Sequence, residues 1–342
     1  MSLDPKDFSV IIPTYNRSQF LKKAIHSVLR QDCISFEVIV GDNCSTDDTS
    51  KVVKSFKDRR IKYFKNRENL GFAGNIRRCF KRAQGDFIFT LGDDDLILEE
   101  RTLFEILNAM KKYKTGMGSI GTIYYSHSPK HPSKIFRLSD KVIFVKPGKV
   151  KKLPLKALDF NISFFTGLVF DRSLINIAKI TDSFTYAYFP FCYDVISKQG
   201  IVYLPSLFTV AYISQRFVPY YFNLEKLGSF YMEDYLKMIK EFVDGKDYLQ
   251  HKKEFLRGGA ILLPSIKLFT DNKNYLKVLK KLINLDNSLL TDPKFLLLAL
   301  TGFLPKIILK TLRGLIIFIW ERKTVMQVKK YGYFEKLAKL EV

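Results

Sequence analysis

Four short apolar runs punctuate the first 97 residues: one opening FSVIIPTYNRS (8–18), one opening FEVIVGDNCSTDDTS (36–50) and ending in Gly41-Asp42-Asn43, the weaker IKYFKN (61–66), and FIFTL (87–91). Between them lie stretches with apolar residues every three or four positions, such as FLKKAIHSVLRQ (20–31), which predict amphipathic helices. Strands alternating with helices predict an α/β fold built on a mostly parallel, doubly wound (Rossmann-like) sheet with helices on both faces. Three of the four runs lead straight into polar or acidic residues: TYNRS, DNCSTDDTS and GDDDL. Parallel strands point one way, so these tails should meet at the carboxyl edge, where open α/β sheets bind ligands.

The run LGDDDL (91–96) is the sharpest of these signals, because it sets Asp93, Asp94 and Asp95 side by side at a strand's end. Hard oxygen donors clustered there suit Mg²⁺ or Mn²⁺ holding a diphosphate, and a solvated acidic turn is the plainer alternative. Pro13, Thr14, Tyr15 and Asn16 close the first strand, so their N–H groups and side chains can meet a base and ribose. Asp42 is a strand-tip carboxylate, able to accept from a base edge or to cap the following helix in an Asx turn. Ser45, Thr46 and Asp47 read as an N-cap for that helix. In ENLGFAGN (68–75), Gly71 and Gly74 permit positive φ and close backbone approach to a ligand beside Asn69 and Asn75, or simply punctuate a turn.

Taken in order, VIIPTYNR (10–17), EVIVGDNCSTDDT (37–49), NRENLGFAGNIRRCFKRAQGDFIFTLGDDDL (66–96), TGLVFDRSLI (166–175) and, more loosely, YDVISKQGIVYLPSLFTVAY (193–212) resemble glycosyltransferase family 2. Those are nucleotide-sugar enzymes of the GT-A fold, and the ordered fragments span about the first 215 residues. The resemblance implies that Pro13, Thr14, Tyr15, Asn16, Arg17, Asp42, Asn43, Asn69, Gly71, Gly74 and Asn75 form the nucleotide cradle, with Asp42 on the N3–H of uracil. Within the family's DXD-type motif it implies that Asp93 serves the nucleotide and the metal, that Asp95 ligates the metal bridging the diphosphate, and that Asp94 supports either. Asp194 follows the anchor formed by Thr166-Gly167 and Phe170-Asp171-Arg172, and precedes the end of a short helix at Gly200. By resemblance it is the general base for the acceptor hydroxyl; otherwise it is a carboxylate stabilised by a helix N-terminus. Relatives carry Glu-Asp there, where this chain has Tyr193-Asp194.

Relatives also place a histidine after the next strand. AYISQRFVPYY (211–221) has none, which leaves Gln215 or Arg216 for the diphosphate and predicts metal binding dominated by carboxylates. The activity implied is metal-dependent, inverting transfer from a nucleotide sugar, a UDP-sugar by the Asp42 reading, to a hydroxyl of a glycan or lipid-linked acceptor in cell-surface polysaccharide assembly. Two alternatives share the acids and the cleft: a metal-dependent nucleotidyltransferase and an inactive sugar-nucleotide-binding protein. The former usually opens with a glycine-rich loop and a basic residue, whereas this chain opens IIPTYNR.

Composition adds the outline. A catalytic region is expected over 1–220, its nucleotide-sugar half over 1–97 and its acceptor half over 98–220, followed by a helical region over 221–342. The proline-rich, basic stretch 126–152 reads as an acceptor loop or as a merely solvated one. Net charge is +22, and residues 246–342 hold 19 Lys and Arg against 8 Asp and Glu, half of that excess. The apolar run 295–305 is too short to span a bilayer, so a basic amphipathic surface over 295–323 points to an anionic membrane face, or to a subdomain packed on the core. No nucleic-acid-binding motif accompanies the charge, and the 34 acids are interspersed, which excludes that partner. Cys33, Cys44, Cys79 and Cys192 show no paired spacing, and MSLDPKDF has no signal-peptide character. The expected location is therefore cytoplasmic, peripheral at the inner face of the cell membrane.

Overall fold

The computed structural model describes residues 6–32, 34–125, 132–147, 162, 164–182, 187–212, 231–240, 245–260, 263–330, 333 and 336–337. The four apolar runs form β1 (Phe8–Thr14), β2 (Phe36–Asp42), β3 (Ile61–Lys65) and β4 (Phe87–Thr90), all parallel and ordered β3-β2-β1-β4. Helices α1 (Ser18–Leu29), α2 (Thr49–Ser55) and α3 (Gly71–Arg82) connect them. Register is in phase across the group: Thr14 lies opposite Asp42, and Asp42 opposite Lys65. The polar tails consequently share one edge.

Beyond β4 the sheet is mixed rather than mostly parallel. It continues through β5 (Asp95–Ile97), β6 (Met117–Tyr125), β7 (Pro132–Phe136), β8 (Ile143–Val145), β9 (Leu168–Asp171) and β10 (Ile201–Tyr212). The order runs β4-β9-β6-β10-β5, with β9 antiparallel to both neighbours, β6 parallel to β10, and β5 antiparallel to β10. Because β9 runs against β4, its start lies at the carboxyl edge of β4 and its end at the opposite edge. The stretch expected to be an acceptor loop contributes β7 and β8, which pair with β6 and β10; residues 126–131 and 148–152 of it lie outside the described ones.

Alternation along the strands separates two cores. Phe8, Val10, Ile12, Val38 and Val40 meet Leu21, Ala24, Ile25 and Val28 of α1, and Leu103, Ile106 and Met110 of α4 (Thr102–Tyr113). On the other face a Cβ at Gly41 would overlap the Cys79 sulfur of α3 and the Phe64 ring, so glycine is what lets α3 close on β2. There Phe191 of α5 (Phe189–Gln199) stacks on Phe80 and Phe170, with ring centroids 5.2 and 4.7 Å away. At the amino edge, buried Glu37 accepts from Ser9 Oγ (2.7 Å), Lys6 Nζ (2.8 Å) and the Gln84 N–H (2.9 Å), tying β1, β2 and the turn before β4 together.

The chain divides into two compact units, 1–212 with 325–342, and 213–324. The expected boundary at 220 lies outside the described residues. In the first unit the chain's end belongs with the sheet: Val328, Tyr333 and Leu337 share an apolar cluster with Leu96, Leu98, Phe208 and Val210. The second unit is helical, with α6 (Tyr231–Lys240), α7 (Gly245–Ala260), α8 (Leu263–Phe269), α9 (Asn272–Leu285), α10 (Pro293–Leu300) and the start of α11 (Lys306–Lys330). Asp271 caps α9 by accepting from the Asn274 N–H (2.7 Å), and Asp292 caps α10 by accepting from the Phe295 N–H (3.0 Å). Among the described residues no helix is long and apolar enough to cross a membrane.

Candidate active site

Three loops meet where β1, β2 and β4 end. Asn16 adopts φ 53°, a left-handed conformation that asparagine tolerates. Its N–H donates to Ser45 Oγ (2.9 Å), and its side-chain oxygen accepts from the Thr46 N–H (2.8 Å). Asp47 joins the same seam: one oxygen accepts from the Ser18 N–H at the start of α1 (2.9 Å), the other from Thr49 N–H and Oγ1 at the start of α2. Burial opposes its ionisation, but the Thr49 and Ser18 donors win and hold the carboxyl at about 2. Thus the helix cap expected from residues 45–47 resides in Asp47, which serves two helices at once. Tyr15 stands exposed at this edge.

Of the two roles open to Asp42, the Asx turn is the one formed. One oxygen accepts from the Ser45 N–H (2.7 Å), the other from Tyr63 Oη (2.6 Å), and the residue is fully buried. Burial and then this carboxylate push the Tyr63 hydroxyl up to about 12, so Tyr63 remains a donor. A base edge reaches Asp42 only if that cover opens.

Asparagines fix the loop before α3. Asn43 Oδ1 accepts from Asn66 Nδ2 (3.0 Å) and the Leu70 N–H (2.9 Å), while its Nδ2 donates to Asn69 Oδ1 (2.7 Å) and Gly71 O (3.1 Å). Asn66 Nδ2 also donates to Asn75 Oδ1 (3.0 Å), and Asn75 Nδ2 donates to Gly41 O (2.7 Å). Asn43, Asn69 and Asn75 therefore shape the cradle from behind. Asn66, which sequence reasoning passed over, is their hub. Gly71 takes the positive φ expected of it, +68°, whereas Gly74 is helical, and a Cβ there would crowd Leu70.

The acidic turn follows β4. Gly92 N–H donates to Thr166 Oγ1 (2.7 Å), and Thr166 Oγ1 donates to Asp95 Oδ2. A Cβ at Gly92 would strike that same Asp95 oxygen, so glycine, threonine and aspartate interlock. Asp95, expected to ligate a metal, is 3% exposed and is spent on this lock. Asp93 and Asp94 point otherwise: Arg17 Nη1 lies 3.5 Å from Asp93 and bonds Asp94 more closely. Burial first, then the Asp94 carboxylate, push the Asp93 carboxyl well above the ordinary range, against the pull of Arg17. Two acids crowd one guanidinium. Among the described residues no three His, Cys, Asp or Glu side chains converge as a metal cluster.

Asp194 is not part of this assembly. Tyr188 and Phe165 stack 5.5 Å apart at the start of α5, near the carboxyl edge, while the Gly116 N–H donates to Gln199 O (3.3 Å) at the opposite edge. Asp194 lies about 9 Å along the helix from Tyr188, at 1.5 Å per residue, beyond Phe191, which packs on Phe170. Its carboxylate accepts from Lys198 Nζ (2.8 Å), one turn farther from the edge. The expected base is thus a mid-helix ion pair, and it does not sit at a helix N-terminus either. Gly200 does end the helix, at φ 76°. Gln215 and Arg216 lie outside the described residues.

Residues 9–175 match the profile of the family described as Glycosyl transferase family 2. The GalNAc(5)-diNAcBac-PP-undecaprenol beta-1,3-glucosyltransferase of Campylobacter jejuni is 34% identical over 179 residues, 52% of this chain and 55% of that protein. The chain thus spans about half the length of that relative. The crystal structure of Staphylococcus aureus TarS in complex with UDP superposes with a TM-score of 0.53 at 16% identity, covering 95% of this chain and 92% of the other. For the mannosyltransferase PcManGT from Pyrobaculum calidifontis, in complex with GDP-Man and Mn²⁺, the TM-score is 0.51 at 16% identity, covering 98% and 86%. At that identity the two structures establish the α/β GT-A fold.

Proposed function

The chain belongs to glycosyl transferase family 2 through residues 9–175, and from that premise we propose that it transfers a sugar, with inversion, from a UDP-sugar to a hydroxyl of a glycan or lipid-linked saccharide in cell-surface polysaccharide assembly. The observation that carries this reading is the meeting of three strand ends around Asp93 and Asp94, with Arg17 between them. The uridine choice is supported by the UDP in the TarS complex. A lipid-linked acceptor is supported by the undecaprenol in the Campylobacter enzyme's name, and would bring this protein to the inner face of the cell membrane.

The donor set fits Mg²⁺ or Mn²⁺. Both are hard cations commonly held by one or two carboxylates plus substrate phosphates, and two adjacent carboxylates, both facing Arg17, are what the turn offers. Asp93 and Asp94 would hold the ion, and Asp95 would position them through Thr166 and Gly92. When bound, the metal would neutralise charge on the departing diphosphate. Arg17 lies within reach of the same phosphates. Pro13 to Arg17 line the nucleoside side, where Tyr15 offers an exposed ring, while Asn43, Asn66, Asn69 and Asn75 keep Gly71 presented at the start of α3. Asp194 is paired with Lys198 in this arrangement, so we propose another group as the base that takes the acceptor proton.

Calorimetry with uridine and guanosine diphosphates, with and without Mn²⁺, followed by transfer assays with the matching sugars, tests the proposal. Uridine diphosphate should bind at least about tenfold more tightly with Mn²⁺, and the product should carry the inverted anomeric configuration. Affinity indifferent to metal would sink the metal site, and preference for guanosine would sink the uridine assignment.

A further inference from the structure

We infer that the corner joining α10 to α11 is a docking surface for an anionic lipid membrane. Leu297 (69%), Leu300 (60%), Phe303 (74%) and Ile307 (74%) are largely exposed, at helical spacings of three and four, and Leu296, Ile308 and Leu312 extend the patch. Single exposed apolar side chains are ordinary; a contiguous group of this size marks an interaction site.

The corner is built, not frayed. Phe295 and Leu309 bury into the helical unit on either side of it. Tyr275 Oη donates to Ala299 O (2.8 Å), and Gly302 lies so close on the Tyr275 ring that a Cβ there could not be accommodated. Anchored from beneath in this way, the corner holds Leu300, Phe303 and Ile307 outward. The surface expected over 295–323 is therefore narrower, since Phe295 faces inward.

Charge selects the occupant. Lys294, Lys306 and Lys310 are exposed around the patch, and no Asp or Glu occurs from 293 to 320. Apolar side chains flanked by cations, in a segment that carries no acid, match a surface that is apolar beneath an anionic layer. This inference stands apart from the glycosyl-transfer reading, because lipid binding and donor binding are measured separately.

The test is co-sedimentation of the full chain with vesicles of phosphatidylcholine alone or mixed with phosphatidylglycerol, while donor binding is followed in parallel. The mixed vesicles should retain the protein at low salt and release it as sodium chloride rises, since screening shortens the reach of surface charge to about 8 Å near physiological strength. Phe303→Asp with Ile307→Asp should weaken partitioning about tenfold or more, and Lys306→Glu with Lys310→Glu should do the same on anionic vesicles only. Thermal melting and uridine diphosphate affinity should not change; Phe303→Ser serves as a milder variant should the double aspartate melt early. Equal binding to both vesicle types, or wild-type partitioning by every variant, overturns the inference. A dimer in sedimentation velocity that Phe303→Ser dissociates, with no vesicle binding, would instead assign the patch to a second copy of this chain.

Discussion

Replacing Thr166 with valine keeps the shape of the side chain and removes one hydroxyl, which in this fold does two jobs. It accepts from the Gly92 N–H (2.7 Å) and donates to Asp95 Oδ2. Valine leaves both without that partner. Gly92 is half-buried, so water recovers part of its loss; Asp95 is buried and recovers less, although Asp95 keeps other interactions. An unsatisfied buried group costs about 1–3 kcal/mol, which is the loss expected for Thr166→Val. Thr166→Ser keeps the hydroxyl and loses a methyl group, worth about 1 kcal/mol. Urea unfolding should show the valine midpoint well below the serine one at unchanged slope. Metal-dependent affinity for uridine diphosphate should fall in the valine variant too, because the turn that carries Asp93 and Asp94 is loosened. Stabilities of the two variants within about 0.5 kcal/mol would refute the interlock and with it the positioning role of Asp95.

Other substitutions separate the remaining roles. Asp94→Asn should weaken Mn²⁺-dependent nucleotide binding about tenfold, or about 1.4 kcal/mol, with little change in melting; Asp95→Asn should lower the melting temperature instead, and the reverse pattern would restore Asp95 as the ligand. Asp194→Asn should leave turnover within about threefold, whereas a fall of about 10² would mark it as the base after all. Glu37 gives a pH signature: burial raises its carboxyl, but Lys6, Ser9 and the Gln84 N–H outweigh burial and hold it below the ordinary value. A depressed carboxylate stabilises the fold above its unfolded pKa of about 4.3, and that contribution is lost as pH falls through the folded value. The stability gap between wild type and Glu37→Gln, followed by urea unfolding, should therefore narrow below about pH 4; a constant gap would show that the ionised form is not what matters.

The first half of the sheet was legible because its signals are local. Apolar runs, intervening amphipathic stretches and polar tails each occupy a few consecutive residues, and parallel β3-β2-β1-β4 pairing follows from them. The second half was not, since β9 enters beside β4 from about 80 residues later in sequence, and nothing within LVFD announces an antiparallel neighbour on both sides. The acidic run was equally visible, but the division of labour within it is set by Thr166, far along the chain, and by the space that Gly92 leaves. Spacing alone could not tell which of three adjacent carboxylates turns inward.

Asp194 lies farther along its helix than the order of its motif alone conveys. A helix beginning near the aspartate would set the carboxylate at the edge of the sheet. Pro190 sits in the first turn of α5, a position where proline's missing N–H costs nothing, and it starts the helix five residues before Asp194. That signal was present in FPFCYD. The shift of more than one turn carries the carboxylate past Phe191 and into the reach of Lys198. Asp95 follows the same logic from the other direction, since β5 begins at that residue, opposite Ala211. Leu96 of β5 and the adjoining Leu98 then share an apolar cluster with Tyr333 and Leu337. Tyr333 Oη donates to Ser206 O (2.9 Å) and Lys336 pairs with Glu99 (2.8 Å), so Tyr333, Lys336 and Leu337 brace the strand on which the acidic turn is mounted. With Asp95 tied to Thr166 at the start of this braced strand, the half-buried Asp94, paired with Arg17, is the acid of the turn nearest to solvent, and that is why the proposed metal site is built on Asp94 and its neighbour Asp93.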